Sequence, residues 1–199
     1  VHVQFGEARA LLAGDALQAL AFELLTPEGA DVPPAMQAEL CRLLARAAGA
    51  QGMAGGQAID LASVGKPLIE TELRGMHERK TGALLQASVR MGAACGSAVT
   101  PAARAALDDF GAVIGLAFQV VDDILDVTAD SAELGKTAGK DAAADKPTYV
   151  SLLGLPAAQA LADALCSQAH AALDASGLPR VERLRALADL PPIHICRCR

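Results

Sequence analysis

The 199-residue chain is 52% hydrophobic and 20% charged, with a mean hydropathy of +0.31, a composition that excludes an intrinsically disordered segment. Its 17 Lys and Arg face 23 Asp and Glu, and the net charge of −6 argues against nucleic acid as a partner, because a phosphate backbone calls for a basic face. Aromatic residues make up 3%, while alanine, the strongest helix former, is the commonest residue. The apolar mass therefore predicts helices rather than a sandwich or barrel.

In chain order, a first helix is predicted over 4–25, where Ala8, Leu11, Leu12, Ala19 and Phe22 fall near helical spacing, and it stops at Thr26-Pro27. Asp31-Val32-Pro33-Pro34 supplies a cap followed by proline and starts a second helix that ends near Gly49. The glycine-rich stretch 49–56 reads as a tight connector into a helix start, where Gln57 and Asp60 lie one turn apart and capping explains much of the pattern. A long segment, 68–95, carries Gly75, Gly82 and Gly92. Each interior glycine lowers helix stability by roughly 1 kcal/mol relative to alanine, so the three call for close packing or a kink.

Thr100-Pro101 caps a long helix reaching about Val127. Its apolar run, 110–118, falls well short of the roughly 20 residues of a membrane span. A polar loop rich in Asp, Lys and Gly is predicted over 128–147, a length that is often functional, and two more helices follow near 157–176 and 179–190. No stretch alternates with period two. The expected fold is an all-α antiparallel helix bundle.

The chain opens Val1-His2-Val3-Gln4-Phe5, without a basic segment or a starting Met, which suggests a piece of a longer cytoplasmic protein. Its five cysteines, 41, 95, 166, 196 and 198, lack CxxC spacing and are expected to be reduced thiols, mostly filling the core. The four histidines are scattered, so no hydrolytic triad is supported.

The most informative stretch is Phe118-Gln119-Val120-Val121-Asp122-Asp123-Ile124-Leu125-Asp126. On a helix, Asp122 and Asp126 stack on one face with Gln119 a turn earlier, and apolar flanks turn that face towards an enclosed space. Carboxylates held in this way suit Mg²⁺, which keeps several waters and bridges carboxylates to phosphates. An exposed acidic face is the plain alternative. Glu78-Arg79-Lys80-Thr81-Gly82 offers an ammonium and a hydroxyl to a phosphate, with a glycine that lets the backbone approach, or else it is a basic surface turn. Gly135-Lys136-Thr137 is not a P-loop, since Asp130 stands where glycine is required and no strand precedes it. Lys136, Lys140 and Lys146 instead suit a lid over a polyphosphate, or a solvated loop.

In this order the groups resemble the trans-isoprenyl diphosphate synthase family, in particular its bacterial short-chain farnesyl and geranylgeranyl branch. The carrying motifs are Leu12-Ala13-Gly14-Asp15-Ala16-Leu17, Gly56-Gln57 with Asp60-Leu61, Lys80-Thr81-Gly82, and Gly115 with Phe118-Gln119, Asp122-Asp123 and Asp126. The resemblance spans about residues 2–187. It implies an all-α fold around a central cavity, where an allylic diphosphate is ionised with Mg²⁺ and alkylates isopentenyl diphosphate. By matching positions, Asp122, Asp123 and Asp126 would hold Mg²⁺. Lys80, Thr81, Gln119, Lys136 and Lys146 would contact the diphosphate, with Gln57 as a further binding residue, and Lys80, Thr81 and Asp122 would take part in catalysis. Residues 1–190 are then the C-terminal portion of one prenyl synthase domain, and 191–199 an atypical tail.

The family's first aspartate-rich motif would lie upstream of His2, so the chain alone is expected to be inactive or nearly so. A homodimer is expected by resemblance. A non-catalytic subunit of a heteromeric synthase and a terpene cyclase of the same fold are the alternatives. Lys80, Thr81, Gln119 and the aspartate triplet argue against a bare subunit, and Lys80-Thr81 with the lysine loop favour chain elongation over cyclisation.

Overall fold

The structure, a computed structural model, describes residues 1–29, 31–96, 99–128 and 147–189. Among these the only regular elements are helices, as the composition predicts. The chain divides into two compact units, Val1–Ala45 and Arg46–Arg199.

In the first unit, α1 (His2–Phe5) and α2 (Glu7–Leu25) replace the single predicted helix. The break falls at Gly6, whose φ of 84° is open to glycine and strained for other residues. α2 ends as predicted at Thr26, whose hydroxyl donates to the Phe22 carbonyl at 3.1 Å. α2 buries none of its residues. α3 (Pro34–Ala48) begins on the predicted proline, and the Gln37 side-chain amide donates to the Val32 carbonyl, tying the incoming chain to the first turn.

The second unit is built around α7 (Pro101–Thr128), a 28-residue helix about 42 Å long. Its start is set by Thr100, whose hydroxyl accepts the Ala103 N–H at 3.2 Å, as its sequence promised. One core cluster joins Leu116, Val120 and Ile124 of α7 to Leu73 and Met76 of α5 (Glu70–His77), Tyr149 of α8 (Tyr149–Leu153), and Ala158 and Leu165 of α9 (Leu155–Ser176). A second joins Leu107 and Phe110 to Ala169, Leu173 and Val181, next to α10 (Glu182–Asp189). α6 (Ala83–Cys95) lies along α7, tied by a two-point ion pair between Arg90 and Asp108 at 2.5 and 3.2 Å.

Three sequence expectations change. The connector before Gln57 is shorter than predicted, because α4 (Met53–Ala62) already contains Gly55 and Gly56. α8 falls between the predicted loop and the next predicted helix, where no element was expected. It is a short helix started by a reciprocal pair in which the Thr148 hydroxyl accepts the Ser151 N–H and the Ser151 hydroxyl accepts the Thr148 N–H, each at 3.0 Å. The cysteines do not fill the core: Cys41 and Cys166 are half-buried and Cys95 is exposed, all as free thiols. Cys196, Cys198 and the 191–199 tail lie outside the described residues.

Candidate functional site

Between α5 and α6 the backbone widens into a π-helical turn, Glu78–Gly82, which carries Lys80 and Thr81. A π turn inserts an extra residue and redirects side chains, and it is often found at functional sites. Two glycines on neighbouring helices hold it. A Cβ on Gly56 of α4 would lie 2.2 Å from the Lys80 nitrogen, and one on Gly115 of α7 would lie 2.5 Å from the Gly82 Cα. Only glycine permits either approach, so backbone contact fixes Lys80 and Thr81 against both helices. Gly82 is buried against α7, but a Cβ of its own would make only ordinary contacts, 3.9 Å from the Gly115 Cα, so the close approach requires glycine at 115 rather than at 82. Gly75 and Gly92 meet nothing within 4 Å, and close packing does not account for them.

A polar line runs across these elements. The Lys80 ammonium pairs with Asp60 at 2.7 Å, the carboxylate 4% and the lysine side chain 29% exposed. The Thr81 hydroxyl donates to the Gln119 Oε1 at 3.3 Å, and the Gln119 amide donates to the Asp123 Oδ1 at 2.9 Å. The backbone N–H of Tyr149 donates to the other Asp123 oxygen at 2.8 Å. Both oxygens of this buried carboxylate thus hold neighbouring structure together: one orients Gln119, the other caps α8. Asp126 is buried and Asp122 half-buried, so the acidic triplet is not fully displayed to solvent.

The predicted residues therefore divide. Thr81, Gln119 and Asp123 are joined in a hydrogen-bonded line, Lys80 beside Thr81 pairs with Asp60, and Asp122 and Asp126 lie on the same helix as Gln119 and Asp123. Gln57 is half-buried in α4, one turn before Asp60, and its side chain makes no hydrogen bond among the described residues. α4 starts at Met53 on an N-cap that makes no side-chain hydrogen bond, so Gln57 and Asp60 are not capping residues, contrary to expectation. Lys136, Lys140 and Lys146 lie outside the described residues.

Sequence reasoning missed the pairing of Asp60 with Lys80 and the whole contribution of Tyr149. The Thr148…Ser151 pair was the available signal for α8. The Tyr149 ring stacks on His77, centroids 5.8 Å apart and planes 29° from parallel, and its buried hydroxyl has no hydrogen-bond partner among the described residues. Burial, reinforced by Glu70, Asp123 and Glu78 against the opposing pull of Arg74, pushes this phenol up to about 12. Two carboxylates one turn apart, as in Asp122 and Asp126, suit a hard cation that prefers oxygen. A separate pocket of about 450 Å³, lined by Val89, Ala93, Leu107, Val181, Leu184 and others, contains none of these residues. No helix among the described residues is long and apolar enough to cross a membrane.

Comparison with known proteins identifies relatives of the chain. The chain is 54% identical over 190 residues to a Bradyrhizobium diazoefficiens protein named probable farnesyl diphosphate synthase, covering 94% of this chain and 56% of that one. It is 45% identical over 193 residues to the farnesyl diphosphate synthase of Escherichia coli, covering 94% of this chain and 64% of the relative. A Helicobacter pylori geranyltransferase, solved with magnesium and isoprenyl diphosphate, superposes with a TM-score of 0.84 at 37% identity, over 94% of this chain and 61% of that one. The chain thus spans between about half and two thirds of the length of these relatives. Residues 1–176 match the polyprenyl synthetase family, and with the helical fold and the conjunction of Lys80, Thr81, Gln119 and the aspartates, the chain belongs to that family.

Proposed function

We propose that residues 46–189 supply one wall of a Mg²⁺-dependent prenyltransferase site that condenses an allylic diphosphate with isopentenyl diphosphate. The observation that carries this reading is the hydrogen-bonded line from Thr81 through Gln119 to Asp123, which joins the basic π turn to the acidic helix. The donor set fits magnesium: Asp122 and Asp126 offer oxygen ligands one turn apart on α7. Bound there, the ion would supply positive charge to a departing diphosphate. Asp123 is proposed as the third carboxylate of the set, its two oxygens also accepting hydrogen bonds from the Gln119 amide and the Tyr149 N–H.

Lys80 and Thr81 present an ammonium and a hydroxyl to the same diphosphate. Asp60 holds the ammonium in place until an anion competes for it. Lys136 and Lys146 are proposed as further diphosphate contacts and Gln57 as a neighbouring binding residue. The bare chain is proposed to bind diphosphate without sustained turnover, since its sequence contains a single aspartate-rich motif.

A homodimer is the proposed assembly. Its support is α2, where Leu11, Leu12, Leu17 and Leu24 are all exposed on a helix that buries nothing. The same exposed helix also suits a non-catalytic subunit, and one experiment separates the readings. Calorimetric titration with Mg²⁺ and an allylic diphosphate is expected to show binding that Asp122→Ala abolishes. Absence of binding in the parent protein would favour the subunit reading, and unchanged binding in Asp122→Ala would remove Asp122 from the site.

A further inference from the structure

α9 and α10 meet at a second group of side chains that the proposed reaction does not use. Cys166 and His170 stand one turn apart on α9, Asp189 closes α10, and one ligand atom from each lies within 4.8 Å of the others. His170 Nε2 is 2.7 Å from Asp189 Oδ1. The Cys166 thiol donates weakly to the Ala188 carbonyl at 3.5 Å. On the far side of the ring, a guanidinium nitrogen of Arg185 lies 3.4 Å from His170 Nδ1, and Arg185 is also paired with Asp174.

We propose that Cys166, His170 and Asp189 form a binding site for a divalent transition cation of the zinc or cobalt class, which fastens α10 to α9. Three observations converge on it. A thiolate, an imidazole and a carboxylate together select a borderline transition metal over magnesium. The i, i+4 spacing puts sulfur and nitrogen on one helix face, and a separate helix supplies the oxygen. The side chains of His170 and Asp189 are 27% and 61% exposed, so a hydrated cation can reach them and keep water as a fourth ligand.

Metal–sulfur and metal–nitrogen distances of about 2.3 and 2.0 Å put tetrahedral ligand atoms roughly 3.3 to 3.7 Å apart. The His170–Asp189 contact therefore opens slightly while Cys166 closes in. Burial, together with Asp189 and Asp163, raises the Cys166 thiol in the absence of metal, and a cation among the same groups reverses that bias. Protons balance as follows: the thiol releases one to solvent, and the imidazole proton passes from Nε2 to Nδ1. That Nδ1 proton then faces Arg185, so Arg185 opposes the site and must turn away.

The test is titration of the full chain with Co²⁺, without magnesium or diphosphate, so its outcome does not depend on the prenyltransferase reading. One equivalent is expected to produce a thiolate-to-cobalt charge-transfer band in the near ultraviolet. Cys166→Ser should abolish the band, Asp189→Asn should weaken cobalt binding by at least about tenfold, and Arg185→Gln should tighten it. Cys41, Cys95, Cys196 and Cys198 stay in place throughout, so a band that survives Cys166→Ser belongs to them and overturns the proposal. The absence of any band also overturns it. If Cys166→Ser loses its helical circular dichroism, the exposed Asp189→Asn decides: unchanged cobalt affinity in that variant refutes the site.

Discussion

Leu11, Leu12, Leu17 and Leu24 of α2 are between 65% and 70% exposed, while Leu116 and Val120 of α7 are at 2% or less. Both helices are long and rich in apolar residues, yet one is the axis of its unit and the other buries nothing. In α7 the burial comes with specific neighbours: a glycine contact to the π turn, an ion pair to α6, and the Asp123 carboxylate that anchors α8. α2 has apolar residues all round, which marks a helix that is enclosed once its partner is present. Apolar composition thus fixes that a segment is helical. Burial needs complementary surfaces, and in this protein they belong to the region that carries the site.

Truncation of single leucines tests this contrast most strongly. Leu116→Ala is expected to destabilise the second unit by about 3 to 4 kcal/mol, because it empties a closed core position. Leu12→Ala should stay within about 0.5 kcal/mol, as an exposed side chain has little to lose. Urea midpoints of the two variants measure the difference, and comparable losses would show that α2 is packed rather than open.

Glycine substitutions sharpen the comparison with an expected change of sign. Gly115→Ala forces a methyl group against the Gly82 backbone and is expected to cost about 3 kcal/mol. Gly14→Ala, in the interior of α2 with nothing within 4 Å of the new Cβ, should instead stabilise by up to about 1 kcal/mol through helix propensity. Within the acidic helix, Asp123→Ala is expected to cost about 2 kcal/mol by leaving the Tyr149 N–H and the Gln119 amide without their acceptor. Asp122→Ala is expected to remove Mg²⁺-dependent diphosphate binding, measured by calorimetric titration. An unchanged urea midpoint in Asp123→Ala would show that its carboxylate does not anchor α8.

Much of this arrangement was legible in the sequence because it is local. Helical spacing and Thr100-Pro101 gave α7 its start, and the i, i+4 spacing of Asp122 and Asp126 gave the acidic face. Gly6 was not seen as a break, because a single glycine within a helical pattern does not reveal the sign of its φ. The π turn was also concealed: Glu78–Gly82 reads as ordinary helix, and the backbone that packs against it belongs to Gly56 and Gly115, 26 residues before and 33 after Gly82 in the sequence. Long-range partners of this kind leave no periodic trace. The pairing of Asp60 with Lys80 and the capping of α8 by Asp123 were hidden for the same reason. The spacing within α7 put both aspartates beside each other but could not say which oxygens were already occupied.

Tyr149 tests the finest level of the contrast, a single buried hydroxyl. Its phenol is raised from an ordinary value near 10 to about 12, chiefly by burial, so the folded protein holds this proton more tightly than the unfolded chain does. The resulting stability is complete below pH 10 and is lost progressively as pH rises from about 10 to about 12. Tyr149→Phe keeps the ring stacked on His77 and removes a hydroxyl that has no hydrogen-bond partner among the described residues. It is expected to stabilise the protein by about 1 kcal/mol at neutral pH. It should also flatten the fall in stability between pH 10 and 12, measured by urea denaturation at several alkaline pH values. A variant that is less stable than the parent at pH 7 would mean that the hydroxyl makes a favourable contact after all, and that α8 is held by its tyrosine as well as by the Asp123 carboxylate.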